Sequence, residues 1–146
     1  MKIEDEIKQR GFTNVQQKAG MNLIYTANWL SNQYAAALSA VDLSLQQLNV
    51  LTILKGQPEH TANVNLIRDR LIDRMPNVSR LLNKLMEKGL VQKDRNLTDQ
   101  RVVYIKLTKE GEETARKGRE IFQSVPYTID EAQAEQLNSL LELLRE

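Results

Sequence analysis

Apolar residues recur at three- and four-residue intervals over most of the chain, a spacing that predicts helices rather than strands. Ile3 and Ile7 sit four apart before Gly11 and predict a short first helix. From Asn14 onward, Val15, Ala19, Leu23, Ala27, Leu30, Tyr34 and Leu38 form one stripe on a long helix, 14–38. Ser44 and Gln47 have the spacing of a capping box. The helix after them carries Leu45, Leu48, Leu51 and Leu54 and stops before Gly56 and Pro58. Beyond the loop GQPEH, Asn63 or Asn65 can cap a short helix bearing Val64, Ile67 and Leu71. After the brief connection IDRM, Pro76 fits the first turn of a further helix, where its missing N–H costs nothing. That helix, 76–88, runs to Gly89, a natural C-terminal stop. Two short helices joined by a three- or four-residue turn predict a helix-turn-helix.

The pattern changes after Gly89. LVQKDR and VVYIKL predict two strands of a ribbon, with NLTDQ near its tip. The tip lacks the Asn-Gly or Asp-Gly pair usual in a tight hairpin. Asp99 and Arg101, two residues apart, can instead pair and hold it. A ribbon directly after a helix-turn-helix is a wing. Arg101, or Arg95 across from it, can then reach an adjacent minor groove, where narrow grooves attract arginine; an incidental ion pair on a surface hairpin is the plainer alternative. Thr108 is placed to cap the next helix, 109–124, which carries Gly111, Ala115 and Gly118 and then Ile121 and Phe122. Small residues there allow another backbone to approach closely. Pro126 breaks the chain, and Asp130 can cap a last helix, 130–145, with Leu137, Leu140, Leu141 and Leu144 facing inward. The expected fold class is mainly α with a small β-ribbon (α+β). It is a winged helix-turn-helix domain at 44–108 flanked by dimerisation helices at 1–43 and 109–146. Dimerisation is expected because the outer helices carry more apolar stripe than one small winged domain needs, and two-fold dimers are the commonest oligomers. Tyr25 and Trp29 fit core or interface packing better than a ligand pocket.

Charge sharpens this picture. The net charge is only +1. Residues 61–110, however, hold 11 Lys and Arg against six Asp and Glu, and the rest holds nine against 13, so the middle is +5 and the ends −4. A basic middle suggests one surface that meets a polyanion. On the helix after Pro76, Val78, Leu81, Leu82, Leu85 and Met86 share one arc, while Asn77, Ser79, Arg80, Asn83, Lys84 and Glu87 fill the other. Arg can grip guanine O6 and N7 together, Asn can grip adenine N6 and N7, and Ser and Lys can hold phosphates. A merely solvated face would look similar but would usually hold more Glu.

DQRVVYIKLTKEG resembles the wing pattern Asp-x-Arg, five residues, Leu-Thr-x-x-Gly of the MarR (multiple antibiotic resistance regulator) family. Asp99, Arg101, Leu107, Thr108 and Gly111 occupy every defined position. NVSRLLNKLMEKGLVQK resembles that family's recognition helix and its exit into the wing, and the order of elements is similar over the whole chain. The resemblance implies a dimeric winged helix-turn-helix transcription regulator, in most members a repressor, on a near-palindromic operator in double-stranded DNA. Small-molecule effectors release many members. Carried over, the recognition helix is 76–88 and Arg101 is the wing residue that enters the minor groove. With the reading of the residues themselves, the DNA-binding candidates are Pro76, Asn77, Ser79, Arg80, Asn83 and Lys84 on the helix and Arg95, Asp99 and Arg101 on the wing. No motif marks an effector pocket, so the effector-binding residues are unknown.

The sequence narrows the other classes. There is no Cys, which removes disulfides, thiolate zinc sites and thiol-based oxidant sensing, and His60 is the only histidine, so no metal site is expected. No Gly-rich phosphate loop or Ser-centred nucleophile motif is present. The expectation is a protein that is not an enzyme and needs no cofactor. No run of 18 apolar residues marks a membrane span, and MKIEDEIKQR lacks the apolar core of a signal peptide, which favours the cytoplasm. The competing class is a winged-helix protein-interaction module without DNA-binding activity; Asn77, Arg80 and Lys84 argue against it, because such a face is expected to be apolar or acidic.

Overall fold

Local hydrogen bonding starts nearly every helix. A computed structural model of the chain describes residues 1–94 and 101–146. After a short α1 (Ile3–Glu6), Asn14 opens α2 (Val15–Leu38) by accepting the Gln17 N–H. Ser44 and Gln47 close the expected capping box at the start of α3 (Leu45–Lys55). Asn63, not Asn65, caps α4 (Val64–Arg70) through the Leu66 N–H. Asn77 caps α5 (Val78–Glu87), Thr108 caps α6 (Lys109–Ser124), and Asp130 with Gln133 forms a second capping box on α7 (Glu131–Leu144).

The start of α5 corrects one expectation. Pro76 does not lie in the first turn; the helix begins two residues later, at Val78, with Asn77 as its cap. The Asn77 side-chain oxygen takes the Arg80 N–H at 3.1 Å, and that bond sets the boundary. At the other end Gly89, at φ +72, lies in the left-handed region. It lets the Gly89 N–H reach the Met86 carbonyl while the Leu90 N–H reaches that of Leu85, which turns the chain into the first wing strand.

Among the described residues the sheet has three strands where the spacing predicted two. β1 (Thr61–Asn63), β2 (Val91–Lys93) and β3 (Tyr104–Leu107) lie in the order β1-β3-β2, all antiparallel. Ala62 sits opposite Ile105, and Val91 opposite Leu107. β1 is only three residues long and has no periodicity of its own; its hydrogen-bonding partner, far along the chain, makes it a strand. The second ribbon strand starts at Tyr104 rather than Val102.

One core unites these elements. Leu48, Val50, Leu51 and Leu54 of α3 are buried at its centre. Ile67 and Leu71 approach from α4, Val78, Leu81, Leu82 and Leu85 from α5, and Ile105 and Leu107 from the sheet. Leu38, Leu43 and Ala115 join from outside 44–108. Gly111 accounts for one of the small residues of α6. A Cβ there would stand 1.9 Å from the Leu90 carbonyl oxygen, so only glycine lets α6 lie against the exit of α5. The close approach is made by the chain's own backbone.

The outer helices behave differently. Along the α2 stripe only Tyr34 and Leu38 are buried; Val15 and Leu23 are exposed, as are Ile24 and Trp29 off the stripe. On α7, Leu137, Leu140 and Leu144 do not face inward, because within the single chain nothing covers them, and α7 buries no residue at all. Tyr34 is held by a stack on Phe122 of α6, centroids 4.3 Å apart, and by a hydrogen bond between its hydroxyl and that of Tyr127. Among the described residues no single helix is long and apolar enough to cross a membrane.

A candidate nucleic-acid interface

The face of α5 that the core leaves uncovered holds five of the six helix residues singled out by sequence. Asn77, Ser79, Arg80, Asn83 and Lys84 are all exposed, while Val78, Leu81, Leu82 and Leu85 anchor the opposite side. A helix with its apolar arc sealed in the core can point only its polar arc outward. Pro76, half-buried, stands before the helix and lines a small cavity with Leu71 and Leu81, so it shapes the approach to α5 rather than presenting a polar group. Asn77 is partly committed, since its oxygen is the cap and its amide nitrogen is what remains to donate outward.

The helix is held at both ends. Lys88, just past its C-terminus, donates to the Asp42 carbonyl and to Gln47 Oε1 at 3.1 Å, and its Nζ stands 3.5 Å from the Asp42 carboxylate. Asp42 has φ 53 and ends the turn between α2 and α3. The end of α5 is thereby tied to the junction between the long helix and the core. At the other end, the turn between α4 and α5 is braced from α3. Asn49 Oδ1 accepts the Ile72 N–H at 3.0 Å, and Gln46 donates to Asp73 at 2.9 Å. Arg74 Nη1 bonds the carbonyls of Asp69 and Leu71. Gln46, Asn49, Arg74 and Lys88 are positioning residues that sequence reasoning missed. The available signal was polar side chains on α3 between leucines. Arg74, counted there with the basic surface, is bound to carbonyls at the end of α4.

The base of the wing shares a groove with this helix. Ser79 and Asn83 of α5 line it together with Asn63, Asn65, Lys93 and Arg101, an opening of about 390 Å³ floored by Val64, Met86 and Ile105. Arg101 is exposed there. The sequence thus brings the arginine of the wing pattern and the polar arc of α5 to one site. Asp99 of the pattern and Arg95, the other wing candidates, lie outside the described residues, as does the pairing of Asp99 with Arg101. The remaining motif positions have structural work. Thr108 accepts the Gly111 N–H at 2.9 Å and donates to the Gly89 carbonyl at 2.7 Å, which locks the start of α6 to the end of α5.

His60 lies away from this face. It has φ 52 after Glu59 at φ 55, and its Nδ1 is 3.9 Å from the Glu112 carboxylate. Glu112 is ion-paired with Lys55. The hydrogen bond and charge of that ammonium hold the Glu112 carboxyl below its ordinary value.

The groove, the helix and the wing invite comparison with known proteins. Residues 33–117, more than half the chain and nearly all of its core, match the family model of the transcriptional regulators SarA/Rot. The HTH-type transcriptional regulator SarU of Staphylococcus aureus is 26% identical over 89 residues, which is 61% of this chain and 33% of that protein. The chain thus matches about a third of that relative's length. Among solved structures, an organohalide-sensing transcriptional regulator in its 2,4-dichlorophenol-bound form is similar with a TM-score of 0.81 at 19% identity, covering 93% of this chain and 85% of that one. A mutant MarR from Escherichia coli complexed with operator DNA is similar with a TM-score of 0.70 at 21% identity, over 84% of this chain and 91% of the other. At such identities the likeness to the two structures is one of fold, and the fold is the winged helix expected from the wing pattern.

Proposed function

The chain belongs to the SarA/Rot family of transcriptional regulators and has the winged-helix fold of MarR regulators, and from that premise we propose that it binds operator DNA as a homodimer and acts as a repressor. The observation that carries the reading is the outward arc of α5, where Asn77, Ser79, Arg80, Asn83 and Lys84 stand exposed beside Lys93 and Arg101 at the base of the wing. Asn77, Arg80 and Asn83 have the chemistry to read base edges in the major groove, and Lys84, Lys93 and Ser79 to hold phosphates. Arg101 is the wing residue for the adjacent minor groove.

The uncovered apolar residues of α2 and α7 support the dimer. Residues 1–43 and 109–146 then supply its interface, and 44–108 read the DNA. A two-fold dimer presents two copies of α5 to successive major grooves, so the operator is an inverted repeat with half-site centres roughly 10–11 bp apart. Release by a small-molecule effector completes the cycle. Its support is family resemblance, together with the ligand-bound state of the organohalide-sensing structure.

Footprinting on the chain's own promoter, with affinity measured over a salt series, tests the proposal. Protection of two symmetric half-sites, with affinity falling steeply as salt rises, is the expected result. Protection of one asymmetric site would overturn the two-fold operator, and no protection with no salt-dependent binding would overturn DNA binding and favour the protein-interaction module.

A further inference from the structure

Met75 is 92% exposed, an apolar side chain standing almost wholly in water just ahead of α5. Turn positions ordinarily carry Gly, Asn, Asp, Ser or Pro, and a methionine there gains nothing from the fold. Yet the turn is built to keep it out. The Asp73 carboxylate takes the Met75 N–H at 2.9 Å on one oxygen and Gln46 Nε2 at 2.9 Å on the other. Arg74 is fastened to the end of α4, and Asn49 fastens Ile72. Pro76 disfavours helical backbone at Met75, which keeps this residue apart from the helix that follows.

Ile72, the other exposed apolar residue of the turn, has different surroundings. It lines a cavity with Ser31, Leu45 and Pro76, on the side toward α2 and α3. Met75 lies outside that cavity.

The neighbours of Met75 decide what meets it. Residues 70–80 hold three arginines and one acid, Asp73, whose two oxygens are already bonded. Asn77 and Arg80 follow on the same end of α5. A basic, amide-bearing surface of this kind fits a nucleic acid. In the major groove the apolar group on offer is the C5-methyl of thymine. We infer that Met75 is a specificity residue that reads a thymine methyl at the edge of each half-site, beside the bases reached by Arg80. The inference rests on the proposal that α5 lies in the major groove.

The test uses the full chain and the tightest duplex it selects from a randomised DNA library. That duplex is resynthesised with each thymine replaced, one at a time, by deoxyuridine, which removes the methyl and nothing else. The expected result is a loss of about fourfold at one thymine per half-site, equivalent to about 0.8 kcal/mol for one buried methyl. Met75→Ala binds the parent and the substituted duplex equally, Met75→Leu keeps the preference, and Ile72→Ala keeps it in full. Since Met75 supports no core contact, the variant's melting temperature stays that of the parent chain. A Met75→Ala chain that still senses the same thymine, or a parent chain that senses none, overturns the inference and leaves operator binding intact. A chain that selects no duplex at all overturns the major-groove proposal and this inference with it.

Discussion

Gly111 shows how much one hydrogen atom in place of a methyl can decide. Its Cα faces the Leu90 carbonyl, and an added Cβ would meet that oxygen at 1.9 Å and Leu107 Cδ1 at 2.8 Å. Backbone cannot move aside as a flexible side chain can. Gly111→Ala is therefore expected to destabilise the fold by about 1–3 kcal/mol, the usual range for overpacking, read as a lower urea midpoint with unchanged slope. Arg80 stands at the opposite extreme, since it is exposed and supports no packing. Arg80→Ala should leave the urea midpoint unchanged. If Arg80 grips a guanine, the substitution removes about 1–3 kcal/mol of discrimination between operator and random duplex. Equal weakening on both duplexes in a competition assay would make Arg80 a phosphate contact.

Between elements, charge pairs add weaker links at the surface. Lys55 at the end of α3 pairs with Glu112 in the first turn of α6, beside His60. The folded-state pKa of Glu112 is depressed below its ordinary 4.5. A depressed carboxylate contributes stability that is present above the unfolded value and is lost as pH falls through the folded one. Both side chains are more than a third exposed, so solvent screens the pair and its contribution is small. Lys55→Met should raise the Glu112 titration toward 4.5, as followed by its carboxyl carbon shift in NMR. An unmoved titration would mean that the pair does not persist in solution. The C-terminal end of α5 has a comparable tie, from Lys88 to Asp42 and Gln47, which joins that helix to the α2–α3 junction.

At the scale of the whole molecule, the division between covered and uncovered apolar surface is the dominant fact. Leu140, Leu143 and Leu144 are each more than 60% exposed, and Trp29 is 53% exposed, while seven large core side chains among the described residues are sealed to within 2%. A homodimer burying these helices should melt at a temperature that rises with protein concentration. Leu140→Glu with Leu144→Glu should shift light scattering toward the monomer mass or unfold the chain, since a charge buried without a partner is costly. A concentration-independent melt and an unchanged mass would show that α7 is not in the interface.

Much of this protein was legible in its sequence because much of it is local. Asn14, Ser44, Thr108 and Asp130 bond backbone N–H groups three residues ahead. A window of four residues is therefore enough to place those helix starts. The arc of Asn77, Ser79, Arg80, Asn83 and Lys84 was equally readable, because helical geometry alone opposes it to the leucines. Pro76 is the exception at the same short range: a proline suits a first turn, but the cap bond of Asn77 starts the helix two residues later and leaves Pro76 outside it. What tertiary structure alone decided is long-range. Thr61–Asn63 became a strand only because Tyr104–Lys106 came to lie beside it. Gln46, Asn49 and Lys88 became braces only once α3 lay under the turn and the end of α5. An apolar stripe, finally, says that a face must be covered but not by what. The leucines of α3 and α7 look alike in sequence, yet the fold buries the first against the sheet and α5 and leaves the second in water. Hydrophobic burial is non-directional, and only the packing of the remaining chain determines which stripe finds a partner within it.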